Sequence, residues 1–201
     1  IFLLLIAFIK ADTLTSLAED ALFTDHIIYA KSSPYQRIVV TKGKTGYGLF
    51  LNGNLQFNSF DEYRYHEALV HPAFAAFGEN PKRILILGGG DGLAAREILK
   101  YPSVESGTLV DLDPEMTRVS KSVPALGELN KNALDDPRVT IVNTDAFVWL
   151  DHNQNEPFDV AIVDFPDPNN FALGKLYTTR FYNLLKAKLK PDAAIVIQCT
   201  S

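Results

Sequence analysis

Arg83-Ile84-Leu85-Ile86-Leu87-Gly88-Gly89-Gly90-Asp91-Gly92 decides the fold. So short a run of large apolar residues, with no polar alternation, reads as a strand buried on both faces. It empties into a glycine-rich turn from which a helix leaves near Gly92. The texture repeats downstream. Strands over Gly107–Leu112, Val139–Asn143, Phe158–Asp164 and Ala193–Cys199 alternate with helices beginning near Pro114, Asp145 and Tyr177. Pro114 suits the first turn of its helix, and Pro191 reads as the close of the last one. This alternation predicts an α/β domain over residues 61–201, built on a parallel sheet with crossover helices.

Upstream the sequence is β-type. His26–Ala30, Gln36–Thr41 and Gly48–Asn58 are rich in Ile, Val, Tyr and Phe, and Asn52-Gly53-Asn54 is a turn signal, so residues 25–60 predict a small antiparallel module. Asp61 starts a helix, Glu62 to about Phe77, that Pro72 is expected to bend. Residues 1–24 hold the apolar run Ile1–Ile9 and a helix capped by Asp12. Nine residues are too few to cross a bilayer, which takes about twenty. They read either as the tail of a membrane helix lying upstream or as a buried strand or helix end. The chain stops just after the fifth strand of the sheet, where folds of this kind continue, so a further C-terminal part is expected.

With 201 residues and a formal charge of −5, the chain lacks the basic stripe that nucleic acid requires and suits a cationic ligand better. The lone Cys199 excludes an internal disulfide. His26, His66, His71 and His152 show no metal-ligand spacing, so no metal is expected.

Open α/β sheets bind ligands at the carboxyl ends of their strands. Gly88 and Gly90 let the backbone approach a ligand closely. Their glycine-x-glycine-x-glycine spacing with Gly92 departs from the dinucleotide fingerprint, because Leu93 stands where its third glycine belongs. The pattern is seen more in adenosylmethionine folds than in NAD folds. Asp111, at the tip of the next strand, is the candidate ribose ligand, while Asp113 caps the helix at Pro114. Asp145 either accepts from an adenine amino group or caps the following helix. Val160-Ala161-Ile162-Val163-Asp164-Phe165-Pro166-Asp167-Pro168 then delivers two aspartates three residues apart onto the same rim. Asp91, Asp111, Asp145, Asp164 and Asp167 are expected to converge on one crevice. Carboxylates so placed repel one another and call for a sulfonium or an ammonium among them.

Several blocks together resemble the polyamine aminopropyltransferases, the spermidine and spermine synthases. They are Tyr35-Gln36-Arg37-Ile38-Val39, Leu51-Asn52-Gly53 with Gln56, Asp61-Glu62 with Tyr65-His66-Glu67, Gly88–Gly92 with Arg96-Glu97, Asp135-Asp136-Pro137-Arg138, and Asp164-x-x-Asp167-Pro168. The resemblance implies a class I adenosylmethionine-dependent transferase-like, Rossmann-like domain. Gln36, Asp111, Asp145 and Ala146 would hold the nucleoside, and His66, Asp91 and Asp167 the polyamine, with Tyr65 nearby. Asp164 would be the proton acceptor. It implies no prosthetic group, decarboxylated S-adenosylmethionine as co-substrate, putrescine as acceptor, spermidine and methylthioadenosine as products, and a homo-oligomer.

The chain departs from the family in having Asp111 where Glu is more frequent, Ala146 in place of a glycine, and Asn169–Leu176 without a Gly-Pro segment. That loop and the apolar start resemble the family's membrane-anchored branch. They imply a location at the cell membrane with the catalytic domain on the cytoplasmic side, the alternative being cytoplasmic. Competing readings are a methyltransferase of the same fold and a non-catalytic polyamine or nucleoside sensor. A dehydrogenase is disfavoured by the glycine spacing.

Overall fold

The structure is a computed structural model that describes residues 23–78, 80–154, 156–166, 168 and 171–199. The chain divides into two compact units, residues 1–63 and 64–201. In the first, β1 (His26–Ser32), β2 (Arg37–Gly43), β3 (Gly46–Leu51) and β4 (Asn54–Asn58) form an antiparallel sheet in chain order. Ile38, Val39 and Val40 of β2 are at most 1% exposed and make its core. Asn52 and Gly53 turn β3 into β4 with φ of 51° and 80°. Positive φ at both central residues gives the hairpin the twist its strands need. The Asn52 carboxamide oxygen also accepts the Arg37 N–H at 2.9 Å.

The second unit is carried by a five-stranded parallel sheet in the order β7-β6-β5-β8-β9. These strands are β5 (Arg83–Gly88), β6 (Ser106–Asp111), β7 (Val139–Asn143), β8 (Phe158–Asp164) and β9 (Leu189–Ile197). The helices are α1 (Glu62–Phe77), α2 (Leu93–Ile98), α3 (Pro114–Ser122), α4 (Pro124–Leu129), α5 (Ala146–His152), α6 (Phe171–Gly174) and α7 (Thr179–Lys186). Alternate residues of each strand face opposite sides of the sheet. Ile84, Ile86, Val160 and Ile162 pack with Leu69, Val70 and Phe74 of α1 and Ala95 and Ile98 of α2. Leu85, Leu87, Ala161 and Val163 pack on the other side with Leu150 of α5 and Phe181 and Leu185 of α7. Both faces are covered, which is why the central strands read as unbroken apolar runs. The arrangement is a Rossmann-like α/β fold in which strand order reverses between β5 and β8.

Two buried carboxylates reinforce this framework. Asp159, near the start of β8 and 2% exposed, accepts the N–H groups of Lys82 (2.7 Å) and Arg83 (2.9 Å) and pairs with Lys190 Nζ at 2.5 Å. Burial pushes its pKa up, but the Lys190 ammonium and the two amides outweigh that and hold it below the usual carboxylate range. Glu97 on α2, fully buried, is neutralised by Arg96 Nε at 2.8 Å and Lys100 Nζ at 2.5 Å. A buried carboxylate persists only with such partners.

The structure corrects several expectations. β6 ends at Asp111 and excludes Leu112, which is 44% exposed. The Asp111 carboxylate accepts the Asp113 N–H at 2.8 Å, turning the chain one residue early. Pro191 does not close the last helix, which ends at Lys186; it lies inside β9. Phe158 pairs with Leu189 but Val160 with Ala194, so the proline sits in a bulge of the edge strand, where its missing N–H costs no ladder bond. α4 and the turn of 3-10 helix at Ala133–Asp135 were not anticipated. The expected membrane location finds no support in the structure: no helix among the described residues is long and apolar enough to cross a membrane. The apolar start and the first helix fall on residues 1–22, outside those described.

Candidate active site

The carboxyl ends of β5, β6 and β8 bring three aspartates together. β5 and β8 run in register to their tips, with Gly88 opposite Asp164. Gly88 has φ 83°, and a Cβ there would lie 2.1 Å from the Asp164 carbonyl oxygen, so only glycine lets the two strand ends approach. Gly90 serves the neighbouring strand. Its N–H donates to Asp111 Oδ2 at 3.0 Å, and a Cβ on it would stand 2.6 Å from that oxygen. With Asp113 N–H on Oδ1, the Asp111 carboxylate is fixed by backbone donors on both oxygens. Burial raises its pKa to about 6 against the pull of those donors, and the charges of Asp91 and Asp113 add to the rise.

Asp91 follows the glycine turn. Its Oδ1 accepts the Leu93 N–H at 2.8 Å, and its carbonyl oxygen accepts Asn130 Nδ2 at 2.9 Å. Asp164, across the strand reversal, has its pKa raised to about 6, first by burial and then by the Asp91 charge; the Tyr65 hydroxyl and the His66 charge pull the other way. Tyr65 Oη donates directly to Asp164 Oδ1. Burial, the Asp164 charge and that hydrogen bond push the phenol far above its ordinary value, so Tyr65 is a fixed donor at any working pH. His66 is 2% exposed, its ring edge-on to Tyr65 at 4.8 Å between centroids.

Asp145 stands one strand further out, tied to the Asp111 end of β6 by the Thr144 N–H on the Asp111 carbonyl oxygen at 3.0 Å. It caps α5, its Oδ1 accepting the Phe147 N–H at 2.8 Å, and Lys175 Nζ donates to its Oδ2. Burial opposes ionisation, yet Lys175 and the amide win and lower the Asp145 pKa. Ala146, 6% exposed, is the first residue of α5. Gln36 belongs to the first unit, in the turn before β2, where its N–H donates to Ser33 Oγ at 3.0 Å. Asp167 lies outside the described residues.

Of the five carboxylates expected in one crevice, Asp91 raises the pKa of both Asp111 and Asp164 by its charge, whereas Asp145 already has a cation from the chain itself. Sequence reasoning missed Lys175, whose loop offered no periodic signal, and the direct bond from Tyr65 to Asp164. Away from this rim, Glu67, His71 and Glu97 place one ligand atom each within 4.8 Å of the others, a spacing a metal ion could use. Lys100 Nζ already lies 2.5 Å from Glu97 and 3.5 Å from Glu67, so an ammonium neutralises that cluster.

The description "Spermine/spermidine synthase domain" matches residues 62–201. The chain is 57% identical over 198 residues to polyamine aminopropyltransferase 2 of Ralstonia nicotianae, covering 98% of this chain and 38% of that protein. It is 52% identical over 199 residues to the polyamine aminopropyltransferase of Leptospira interrogans, covering 99% and 40%. The chain thus spans well under half the length of these curated relatives. A crystal structure of spermidine synthase in complex with the transition state analogue AdoDATO superposes with TM-score 0.75 at 35% identity, over 82% of this chain and 55% of that one. The spermidine synthase from Thermotoga maritima gives 0.73 at 34%, over 82% and 54%. With its glycine turn, paired strand-end aspartates and a family match over most of its length, the chain belongs to the spermine/spermidine synthase family.

Proposed function

We propose that residues 61–201 form the catalytic domain of a polyamine aminopropyltransferase, with residues 25–60 as a separate small module. The donor is decarboxylated S-adenosylmethionine and the acceptor putrescine, giving spermidine and methylthioadenosine. The homo-oligomer implied by the family resemblance belongs to the same reading. The observation that carries the proposal is Asp164: a carboxylate with its pKa raised to about 6, held by the Tyr65 hydroxyl beside Asp91.

The reaction forms a nitrogen–carbon bond at the methylene beside the sulfonium and breaks the carbon–sulfur bond. The bonding pair leaves with sulfur as a neutral thioether, and the amine must shed one proton. A free alkyl ammonium has a pKa of about 10.4, so the nucleophile arrives protonated. Raising Asp164 towards neutrality narrows the gap to that value, and desolvating the reacting ammonium narrows it further. Asp164 takes the proton, Tyr65 keeps the carboxylate aimed, and the Asp91 charge attracts the diamine. Asp111 accepts from the ribose hydroxyls, and Asp145 with Ala146 receives the base. Holding nitrogen, methylene and sulfur in line supplies the larger part of the rate.

Mass-spectrometric product analysis tests this reading. Incubation with decarboxylated S-adenosylmethionine and putrescine is expected to yield methylthioadenosine and spermidine in equal amounts; nucleoside binding without turnover would overturn it. A second prediction concerns the donor end. Gly90→Ala should leave the fold intact but displace Asp111, weakening methylthioadenosine binding by about tenfold or more, as befits a charge-assisted hydrogen bond. Calorimetric titration reads the change, and an unaltered Kd would remove Asp111 from the ribose.

A further inference from the structure

Lys175 is built into place rather than left at a loop tip. It opens a 3-10 turn, Lys175–Tyr177, whose Leu176 is 8% exposed. The Tyr177 hydroxyl donates to the Pro166 carbonyl oxygen at 2.9 Å, and Thr178 Oγ1 donates to the Lys175 carbonyl oxygen at 2.8 Å. The turn from Lys175 to Thr178 is therefore pinned, and the Lys175 ammonium donates to Asp145. Of the two Asp145 oxygens, Oδ1 is committed to the Phe147 N–H, so Oδ2 is the acceptor open to a ligand, and it is the one Lys175 holds.

We propose that Lys175 determines nucleoside affinity and base selectivity by competing with the exocyclic amino group of the base for Asp145 Oδ2. The inference rests on the reading of Asp145 as the base acceptor. An ammonium and an aromatic amine are both donors, and two donors on one oxygen crowd and repel each other, so occupancy by one weakens the other. The competition is modest in size. The Lys175 side chain is 46% exposed and that of Asp145 26%, and half-exposed ion pairs are screened by solvent and salt. It also depends on which atom the base presents. An adenine amino group loses by the presence of Lys175, whereas a carbonyl oxygen at the same place would gain a donor from it.

The test uses the full chain and neutral 5′-methylthioadenosine, with Lys175→Met preserving most of the aliphatic stem without the charge. Calorimetry should show methylthioadenosine binding the variant about three- to fivefold more tightly than the parent. Raising salt should tighten binding to the parent and leave the variant unaffected, because the ligand carries no charge of its own. 5′-Methylthioinosine, with an oxygen in place of the amino group, should show no such gain. Unchanged or weaker binding of methylthioadenosine by Lys175→Met, or an equal gain for the inosine analogue, overturns the inference. Asp145→Ala separates the two levels: if it weakens methylthioadenosine while Lys175→Met does not tighten it, competition alone falls; if it changes nothing, the base-acceptor reading falls as well.

Discussion

Asp164→Asn should lower kcat for aminopropyl transfer by about 10²- to 10⁴-fold, the range that a positioned general base contributes. The same substitution should make the protein more stable at neutral pH. A carboxyl whose pKa rises from 3.8 unfolded to about 6 folded binds its proton more readily in the folded chain. Stability is then greatest below the unfolded value and is lost as pH climbs through about 6. At neutral pH the ionised Asp164 costs about 2 to 3 kcal/mol, a burden an asparagine of the same shape escapes while still accepting the Tyr65 hydroxyl. Urea titration and single-turnover kinetics on the same variant provide the check. A kcat within fivefold of the parent would show that the proton leaves by another route. The parent's kcat/KM should fall on the acid side of pH about 6, and in the variant the share of that limb due to Asp164 should disappear while the share due to Asp111 stays.

Gly88→Ala is expected to damage the fold itself. The added methyl would sit 2.1 Å from the backbone oxygen of Asp164, at a φ of 83° that alanine adopts only under strain. The two nearest atoms are backbone ones that cannot swing aside, and moving the Phe165 ring at 3.1 Å would not relieve them. Relief requires β5 and β8 to part at the centre of the sheet, where Gly88 and Asp164 are in register. A loss of about 3 kcal/mol or more is expected, as a fall in the urea midpoint or as failure to accumulate folded protein. A loss below about 1 kcal/mol would mean that the strand tips are far more pliant than their packing suggests.

The central strands were legible because burial on both faces leaves an unmistakable apolar run, and Asp113 was legible as a cap because Pro114 follows it. Pro191 misled for a physical reason: proline ends helices, but it is equally at home in an edge-strand bulge, and only the pairing of β9 distinguishes the two. Short helices such as α4, without a full amphipathic repeat, carry too little pattern to announce themselves. Within the site, the topology of a parallel sheet is what allowed Asp91, Asp111 and Asp164 to be expected at the carboxyl ends of the strands, where the structure has them. What the sequence could not supply was pairing. That Tyr65 reaches Asp164, ninety-nine residues away, and that Lys175 reaches Asp145, thirty away, depends on tertiary packing with no local signature.

The two aspartates of β8 answer acid in opposite senses. Asp159, held below the usual carboxylate range by Lys190 and two amides, keeps its clamp on the sheet until the pH falls beneath that range. Asp164, five residues along the same strand, takes up its proton near pH 6. On the proposed reading, between about pH 6 and pH 4 the chain should lose its base while the Asp159 clamp holds, so mild acid should leave it dormant rather than denatured, and neutralisation should wake it.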